Sequence, residues 1–152
     1  MDETSIEVKG QRYDRYRAVD KTGQTVDFLL TAPRDERAAK RFLTKAIRRH
    51  SVPEQITIDG SEANAVAIRS YNKQHGIHIA IRQIKYLNNI VKQDHRGVKR
   101  IVRPMLGFKS SKAAQCTLAG IELMHMIKKG QMVLEEGEES LSEAERFYAL
   151  AS

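Results

Sequence analysis

The sequence lacks several features that mark exported or membrane proteins. It has a single cysteine, Cys116, in 152 residues, which excludes an internal disulfide and a zinc site built from cysteines. It has no run of about 18 apolar residues, so no membrane span is expected. Its start, residues 1–4, has neither a basic region nor an apolar stretch and does not resemble a signal peptide. These absences together predict a cytoplasmic protein.

Basic residues outnumber acidic ones over most of the chain, and acids are concentrated at its end. Residues 133–152 hold six acids and one base, a charge of −5, whereas the whole chain carries +7, so residues 1–132 carry +12. That charge favours a polyanion as partner, although a solvated basic surface without any nucleic-acid function would have the same composition. Hydrophobic residues make up 41% and charged residues 30%, as in a folded domain. We therefore predict one domain over 1–132 and an acidic tail over 133–152, either flexible or a short helix.

Periodicity predicts an α/β protein. Alternating apolar residues between turns predict strands, and apolar residues at helical spacing predict helices. The predicted strands cover residues 5–8, 16–20, 25–30, 56–59 and 77–81. The predicted helices cover residues 33–50, 62–72, 88–103 and 111–129. The first three strands form an antiparallel meander, and the order βββ-α-β-α-β-α-α indicates a mixed five-stranded sheet flanked by helices, the order of the ribonuclease H-like fold.

Two groups of residues are predicted to serve structure alone. The last long helix is expected to bury one stripe of side chains, because they recur at helical spacing. That stripe consists of Ala114, Leu118, Ile121, Met124 and Ile127. Asp20 and Asp27 are interpreted as turn and surface residues.

Six segments together resemble a known family. They read MDETSIEVKG (1–10), YRAVDKTGQTVDFLL (16–30), ITIDGSEAN (56–64), RQIKYLNNIVKQDHR (82–96), RPMLGFKS (103–110) and AGIELMHMIKKGQ (119–131). In this order they closely resemble the transposases of the insertion-sequence-six family, which are DDE enzymes. The resemblance runs from Asp2 to about Met132. It implies a ribonuclease H-like catalytic domain over residues 1–132.

The resemblance also implies a chemistry. DDE enzymes use two aspartates and one glutamate to bind two Mg²⁺ ions, and they cleave and transfer DNA strands at transposon ends. Phosphoryl transfer needs metal ions that activate the attacking oxygen and stabilise the leaving oxygen, and such hard cations prefer oxygen ligands. The resemblance therefore implies Mg²⁺ as cofactor and DNA, both transposon ends and target, as partner, and it leaves homo-oligomerisation open.

Two of the three catalytic positions carry the residue that the family requires. The first aspartate falls on Asp2 and the second on Asp59, and both are expected to bind metal. Without the resemblance, Asp2 would be interpreted as an exposed acid and Asp59 as a turn residue before Gly60. The third position follows the Asn88-Asn89 pair and two apolar residues. It is occupied by Lys92 where the family has glutamate.

Lys92 changes the predicted activity. A protonated lysine has no lone pair to offer a metal, and it places a positive charge where the cation should lie. Asp94 lies two residues further on, about 200° around a helix axis, and so faces nearly the opposite way. Rescue by Asp94 or by Glu62 is the weaker alternative. We therefore predict a degraded copy of a transposase with little or no activity.

A basic segment accompanies these positions. Residues 82–112 contain nine lysines and arginines against one acid, Asp94. Such a cluster can bind phosphates by counterion release, although it could also be a solvated face. The predicted DNA-binding residues are Arg82, Lys85, Arg96, Lys99, Arg100 and Arg103. His95, in the QDHR sequence shared with the family, is interpreted either as a support of the metal site or a phosphate contact, or as a structural histidine.

The sequence supports three functional hypotheses. The first is the truncated, inactive DDE domain, because full-length family members begin with a helix-turn-helix segment and this chain begins at the first catalytic aspartate. The second is a non-catalytic DNA-binding or oligomerisation module. The third is an unstable product that does not fold.

Overall fold

The fold is a mixed α/β arrangement with the predicted order of elements. The computed structural model describes residues 1–32, 36–84, 89–132 and 141–150. The elements are β1 Asp2–Val8, β2 Gln11–Val19, β3 Thr25–Thr31, α1 Glu36–His50, β4 Gln55–Ile58, α2 Glu62–His75, β5 Ala80–Gln83, α3 Asn89–Val102, a 3₁₀ turn Arg103–Met105, α4 Ser111–Lys128 and α5 Glu143–Ala149. Within this described part, no helix is long and apolar enough to cross a membrane.

The first three strands form an antiparallel sheet in the order β1-β2-β3. Val8 pairs with Gln11, so β1 and β2 are joined by the two residues Lys9 and Gly10, both at positive φ (52° and 70°). Positive φ at both central residues is the requirement of the turn that best matches the twist of a hairpin. Strand β2 pairs with β3 through a register shift after Ala18. The predicted meander is therefore confirmed.

The remaining two strands pair separately. Strands β4 and β5 are parallel, with Gln55 opposite Ala80, and helix α2 connects them as a βαβ unit. One five-stranded sheet is not confirmed, because the described strands form one sheet of three and one of two. The sheets nevertheless adjoin, since the Met1 amino group donates to the Thr57 carbonyl at 2.8 Å. The beginning of β1 thus lies beside β4.

Helices cover both faces of the three-stranded sheet. On one face, Phe42 of α1 and Ile68 of α2 pack in a cluster with Tyr16 of β2. On the other face, Val98 of α3 and Leu118 of α4 pack in a second cluster against β1. The division follows the alternation of a strand, since Tyr16 belongs to the first cluster while Ile6 and Val8, on the opposite face of the sheet, belong to the second.

Several predictions about single positions are corrected. The fifth strand begins at Ala80, not residue 77, because the Asn72 side chain bonds both the amide and the carbonyl of Ile79 and so replaces a strand ladder there. Asp27 is buried rather than exposed, because Lys45 and Arg49 approach its carboxylate. The predicted start of α1 at 33–35 falls outside the described residues.

Helix α4 confirms most of the predicted stripe, with one exception. Ala114, Leu118, Ile121 and Ile127 are buried, whereas Met124 is half-buried and Glu122 is 1% exposed. A carboxylate can occupy such a position only when it is paired. Glu122 is paired with two arginines of β2, and these contacts fix α4 against the sheet.

Candidate carboxylate site

Asp2 is the first residue of β1, and its carboxylate is almost enclosed. The residue is 7% exposed, and its Oδ1 accepts the Glu3 amide at 2.9 Å. Burial raises the pKa of Asp2, the Glu3 amide lowers it in part, and the negative charges of Glu3 and Asp59 raise it further. A carboxyl that is costly to ionise in a folded protein is characteristic of functional sites, where opposing charge is supplied by a ligand.

Asp59 reaches the same place from another strand. It follows directly after β4, is half-buried, and precedes Gly60, which adopts a φ of 50°. The bond between Met1 and Thr57 holds the beginning of β1 against β4. Asp59 is therefore near enough to Asp2 to raise its pKa. Two aspartates from separate sequence motifs thus lie close enough to interact electrostatically.

Helix α3 contributes His95 to the site. His95 is 6% exposed, and its Nδ1 lies 3.8 Å from Oδ2 of Asp2. That distance is longer than a hydrogen bond and becomes an ion pair only when the imidazole is protonated. Of the two interpretations that the sequence left open, this placement favours a role at the carboxylates. His95 of the QDHR motif therefore faces Asp2.

Lys92 is carried by the same helix. It lies three residues before His95, and residues three apart on a helix are neighbours on one face. Its backbone is therefore on the side of α3 that meets Asp2. The Lys92 side chain lies outside the described part of the structure, as does that of Asp94.

Glu3 and Glu62 are engaged elsewhere. Glu3 accepts a hydrogen bond from Nδ2 of buried Asn64 in α2 at 2.8 Å, on the face of β1 opposite to Asp2. Glu62 is exposed and pairs with Arg69 at 3.0 Å, along α2. The described contacts thus give no support to rescue of the site by Glu62.

The oxygen ligands available at this site indicate whether a pair of Mg²⁺ ions would fit. Hard cations need several oxygen ligands, and two-metal sites rely on carboxylates shared between the ions. Among the described residues, no group of three or more histidine, cysteine, aspartate or glutamate side chains is arranged to hold a metal ion. Asp2 and Asp59 offer two carboxylates, and the position predicted for the third ligand holds Lys92. These residues do not fit a two-ion site.

A basic stripe runs along α3 beside this site. Arg96, Lys99, Arg100 and Arg103 are all exposed, at spacings of three and four residues that put them on one helical face. We call these four residues the α3 stripe. Arg82 is exposed on β5, and Lys85 falls outside the described residues. The structure thus brings four of the six predicted DNA-binding residues together.

The sequence interpretation missed a buried charge cluster under α4. Glu122 pairs with Arg15, and its two oxygens lie 3.1 and 3.2 Å from Nε of Arg17. Arg17 also donates to the Thr25 hydroxyl at 2.7 Å. All three charged side chains are at most 1% exposed. A signal was available, since Arg15 and Arg17 alternate with Tyr16 in a strand and therefore share one face.

Comparisons with known proteins agree with the predicted resemblance. A family model described as a DDE domain matches residues 1–131. The transposase for insertion sequence-like element IS431mec of Staphylococcus aureus strain Mu50 is 34% identical over 133 residues, which cover 85% of this chain and 57% of the relative. The Staphylococcus aureus transposase for insertion sequence element IS257 in transposon Tn4003 shows the same identity and coverage. No solved structure matches the chain significantly.

These matches settle the family and not the whole activity. This chain spans 57% of the length of the transposases that it matches. The family model nevertheless covers residues 1–131, most of the chain. In agreement with the predicted resemblance to insertion-sequence-six transposases, the protein therefore belongs to the DDE domain family.

Proposed function

We propose that residues 1–132 are the catalytic domain of a transposase with a ribonuclease H-like core, descended from an enzyme that cleaves and transfers DNA strands. The observation that carries this proposal is the placement of Asp2 and Asp59, because the Met1–Thr57 bond holds the start of β1 against β4 and the charge of Asp59 raises the pKa of Asp2. The two residues come from separate family motifs at the ends of different strands. The described link between β1 and β4 supports the ribonuclease H-like arrangement, since β1 then lies between β2 and β4.

In this proposal each group at the site has a defined task. In the ancestral enzyme a divalent cation would have supplied the charge that activates the attacking oxygen and stabilises the leaving oxygen. The aspartates at positions 2 and 59 would have held such an ion there. The α3 stripe, with Arg82 and Lys85, would bind the phosphate backbone and set the position of the strand. Residues 133–152 remain, in this proposal, an acidic tail outside the catalytic domain.

The proposal includes loss of activity through Lys92. A lysine at the glutamate position removes one ligand and adds a positive charge that repels a divalent cation. The protein is therefore a DDE domain with a defective third position, and its expected strand cleavage is at or near zero.

A second candidate is a non-catalytic DNA-binding or oligomerisation module. The observation in its favour is the α3 stripe, which is exposed and contains no catalytic aspartate. Phosphate binding by such a stripe needs neither Lys92 nor a metal. The two candidates differ in what replacement of Lys92 should do.

The deciding experiment is a nicking and strand-transfer assay with Mg²⁺ or Mn²⁺ on DNA that carries terminal repeats of the family type. The native protein is compared with Lys92→Glu, Lys92→Gln and Lys92→Glu/Asp59→Ala. We expect cleavage by Lys92→Glu alone, because only this variant restores the third carboxylate. Lys92→Gln is the matched control, since it removes the positive charge without adding a ligand.

The other outcomes separate the candidates. Cleavage by the native protein would overturn the claim of inactivity and require another ligand in place of the glutamate. A folded Lys92→Glu variant that neither cuts DNA nor binds Mn²⁺ by calorimetry would favour the binding module. The calorimetric measurement reports on the site even where strand cleavage needs parts of a longer protein.

A further inference from the structure

A second basic surface lies on helix α1, distant in sequence from the α3 stripe. Residues 34–50 contain seven lysines and arginines against two acids, Asp35 and Glu36. Six of these bases project from α1 and enclose a shallow trough of about 790 Å³ together with Thr44. We call these six residues the α1 basic face. They are Arg37, Lys40, Arg41, Lys45, Arg48 and Arg49.

The α1 basic face is ordered but not neutralised. Lys45 bonds the Asp27 carboxylate at 2.9 Å, and Arg49 lies 3.6 Å from the same oxygen. Arg41 donates to the Thr31 hydroxyl at 2.7 Å, and Lys40 to the Ser70 hydroxyl at 3.2 Å. Hydroxyl partners hold a cationic side chain in place without cancelling its charge. The face therefore keeps a positive excess.

The spacing of lysines and arginines along α1 brings like charges close together, which makes the helix less stable on its own. Arg37, Arg41, Lys45 and Arg49 recur every four residues, and like charges at this spacing repel one another. The row spans about 18 Å along the helix axis. One strand of duplex DNA carries a phosphate every 3.4 Å or so along its axis, so the row has roughly the length of five base pairs. An anion of this length would relieve the repulsion.

The two basic surfaces lie on opposite sides of the three-stranded sheet. Helix α1 packs on the face that presents Tyr16, and α3 packs on the face that presents Ile6 and Val8. The buried residues of α1, among them Phe42, face the sheet, Arg41 and Lys45 reach its edge strand β3, and Arg37 and Arg48 are exposed to solvent. A DNA segment bound along the α3 stripe would not cover the α1 basic face.

We propose that the α1 basic face is a second binding site for the phosphate backbone of duplex DNA. It adds a surface to the proposed function and does not depend on the carboxylates. The site is assigned to phosphates, because the exposed side of α1 offers guanidinium and ammonium groups that bind phosphate oxygens, and Phe42, which could stack on a nucleobase, is buried. Insertion into a lipid surface is disfavoured, because the apolar side of α1 is already occupied by the core.

The test is a salt titration of binding to labelled duplex DNA, without divalent metal. The native protein is compared with Arg37→Gln/Arg41→Gln/Arg48→Gln and with a matched control, Lys21→Gln/Lys73→Gln/Lys128→Gln, which removes the same charge from exposed positions elsewhere. We expect the α1 variant to bind roughly tenfold or more weakly at about 0.1 M salt. The slope of log K against log salt should fall by about 1 for each phosphate that the variant no longer neutralises. The control should change the slope much less.

The outcomes distinguish this inference from the proposed function. If the α1 variant binds DNA as tightly as the control, the inference is wrong. The same series includes an α3 variant, Arg96→Gln/Lys99→Gln/Arg103→Gln. If that variant binds DNA more weakly, the proposed function still stands. If neither variant weakened binding, the inference and the assignment of the α3 stripe to phosphate binding would both be wrong. Loss of binding to phosphatidylserine vesicles with unchanged DNA affinity would assign the face to a membrane and also overturn the inference. Circular dichroism checks folding, and Arg37→Gln/Arg48→Gln is the milder variant if the triple change unfolds the protein.

Discussion

At the scale of single residues, the ionised carboxylate of Asp2 lowers the free energy of unfolding. Burial, above all, raises its pKa from the ordinary value of 3.8, the Glu3 amide partly offsets this, and the charges of Glu3 and Asp59 add to it. A carboxyl whose pKa is raised on folding stabilises the fold at low pH and loses that contribution as the pH rises through the folded pKa. Ionised Asp2 therefore opposes folding at neutral pH, as groups at functional sites often do.

The prediction is that Asp2→Asn increases the free energy of unfolding at neutral pH. Asparagine keeps the oxygen that accepts the Glu3 amide but carries no charge. Urea unfolding of the two proteins over a pH series should show a gap that closes as the pH falls below 3.8. Glu54→Gln, at an exposed position before β4, is the control and should show no such gap. A less stable Asp2→Asn protein at neutral pH would contradict the argument.

Glu122 has the opposite effect, because it is the carboxylate shared by two buried arginines. Replacing it by glutamine leaves Arg15 and Arg17 with uncompensated charge in the protein interior. Breaking a buried ion pair from one side typically costs about 3–5 kcal/mol, and we expect Glu122→Gln to lose stability on that order in urea unfolding. The double variant Glu122→Leu/Arg17→Met should lose less than the sum of its single changes. Additive losses would show that the pair is not coupled.

The contrast between these residues shows what the sequence could supply. Asp2 and Asp59 are predicted only through the resemblance to the insertion-sequence-six transposases, since residue pattern alone would interpret them as an exposed acid and a turn residue. The burial of Glu122 and Asp27 was not predicted, because periodicity assigns charged residues to the surface unless their partners are known. Those partners lie far along the chain, as Arg17 does from Glu122. The approach of His95 to Asp2 likewise depends on tertiary packing.

At the scale of elements, the effect of a glycine depends on whether it ends a helix or lies inside one. Gly76 ends α2 with a φ of 63°, in the left-handed region, and its amide bonds the Asn72 carbonyl. Gly120 lies inside α4, and a methyl group built there meets no atom within 4 Å. The same chemical change should therefore have opposite effects at the two positions.

We predict that Gly76→Ala lowers the free energy of unfolding by about 1 kcal/mol, because alanine is strained at positive φ. Gly120→Ala should raise it by roughly 0.5–1 kcal/mol, because alanine restricts the unfolded chain and favours the helix. Thermal and urea unfolding of the two variants test the pair together. Destabilisation by Gly120→Ala would show that α4 packs more tightly at this point than the structure indicates.

Element order was predictable, whereas pairing was less so. Turn residues such as Gly23 and Gly76 interrupt the periodic segments, so the order of strands and helices follows from local signals. The division of the strands into sheets of three and two depends on where β1 meets β4, and the described contact there is a backbone bond from Met1 to Thr57. Backbone bonds between distant segments leave no trace in side-chain pattern. The start of β5 was misplaced for a related reason, because Asn72 satisfies the backbone of Ile79.

At the scale of the whole molecule, two basic surfaces on opposite faces of one sheet have a joint consequence. If the α3 stripe and the α1 basic face each bind a phosphate backbone, one protein can hold two duplexes at once. Bridging through a dimer would instead need one surface on each copy. The two cases differ in their response to loss of the α1 basic face.

We predict that the native protein links two duplexes and that Arg37→Gln/Arg41→Gln/Arg48→Gln does not. The measurement uses one duplex fixed to beads and a second, fluorescent duplex in solution, with protein as the only link and salt near physiological strength. The α1 variant should still bind the fixed duplex through the α3 stripe but recover little fluorescent DNA, because counterion release at one surface supports one duplex. Lys21→Gln/Lys73→Gln/Lys128→Gln should recover nearly as much as the native protein. Full recovery with the α1 variant would assign the bridging to association between copies, and the α1 basic face would then have no part in it.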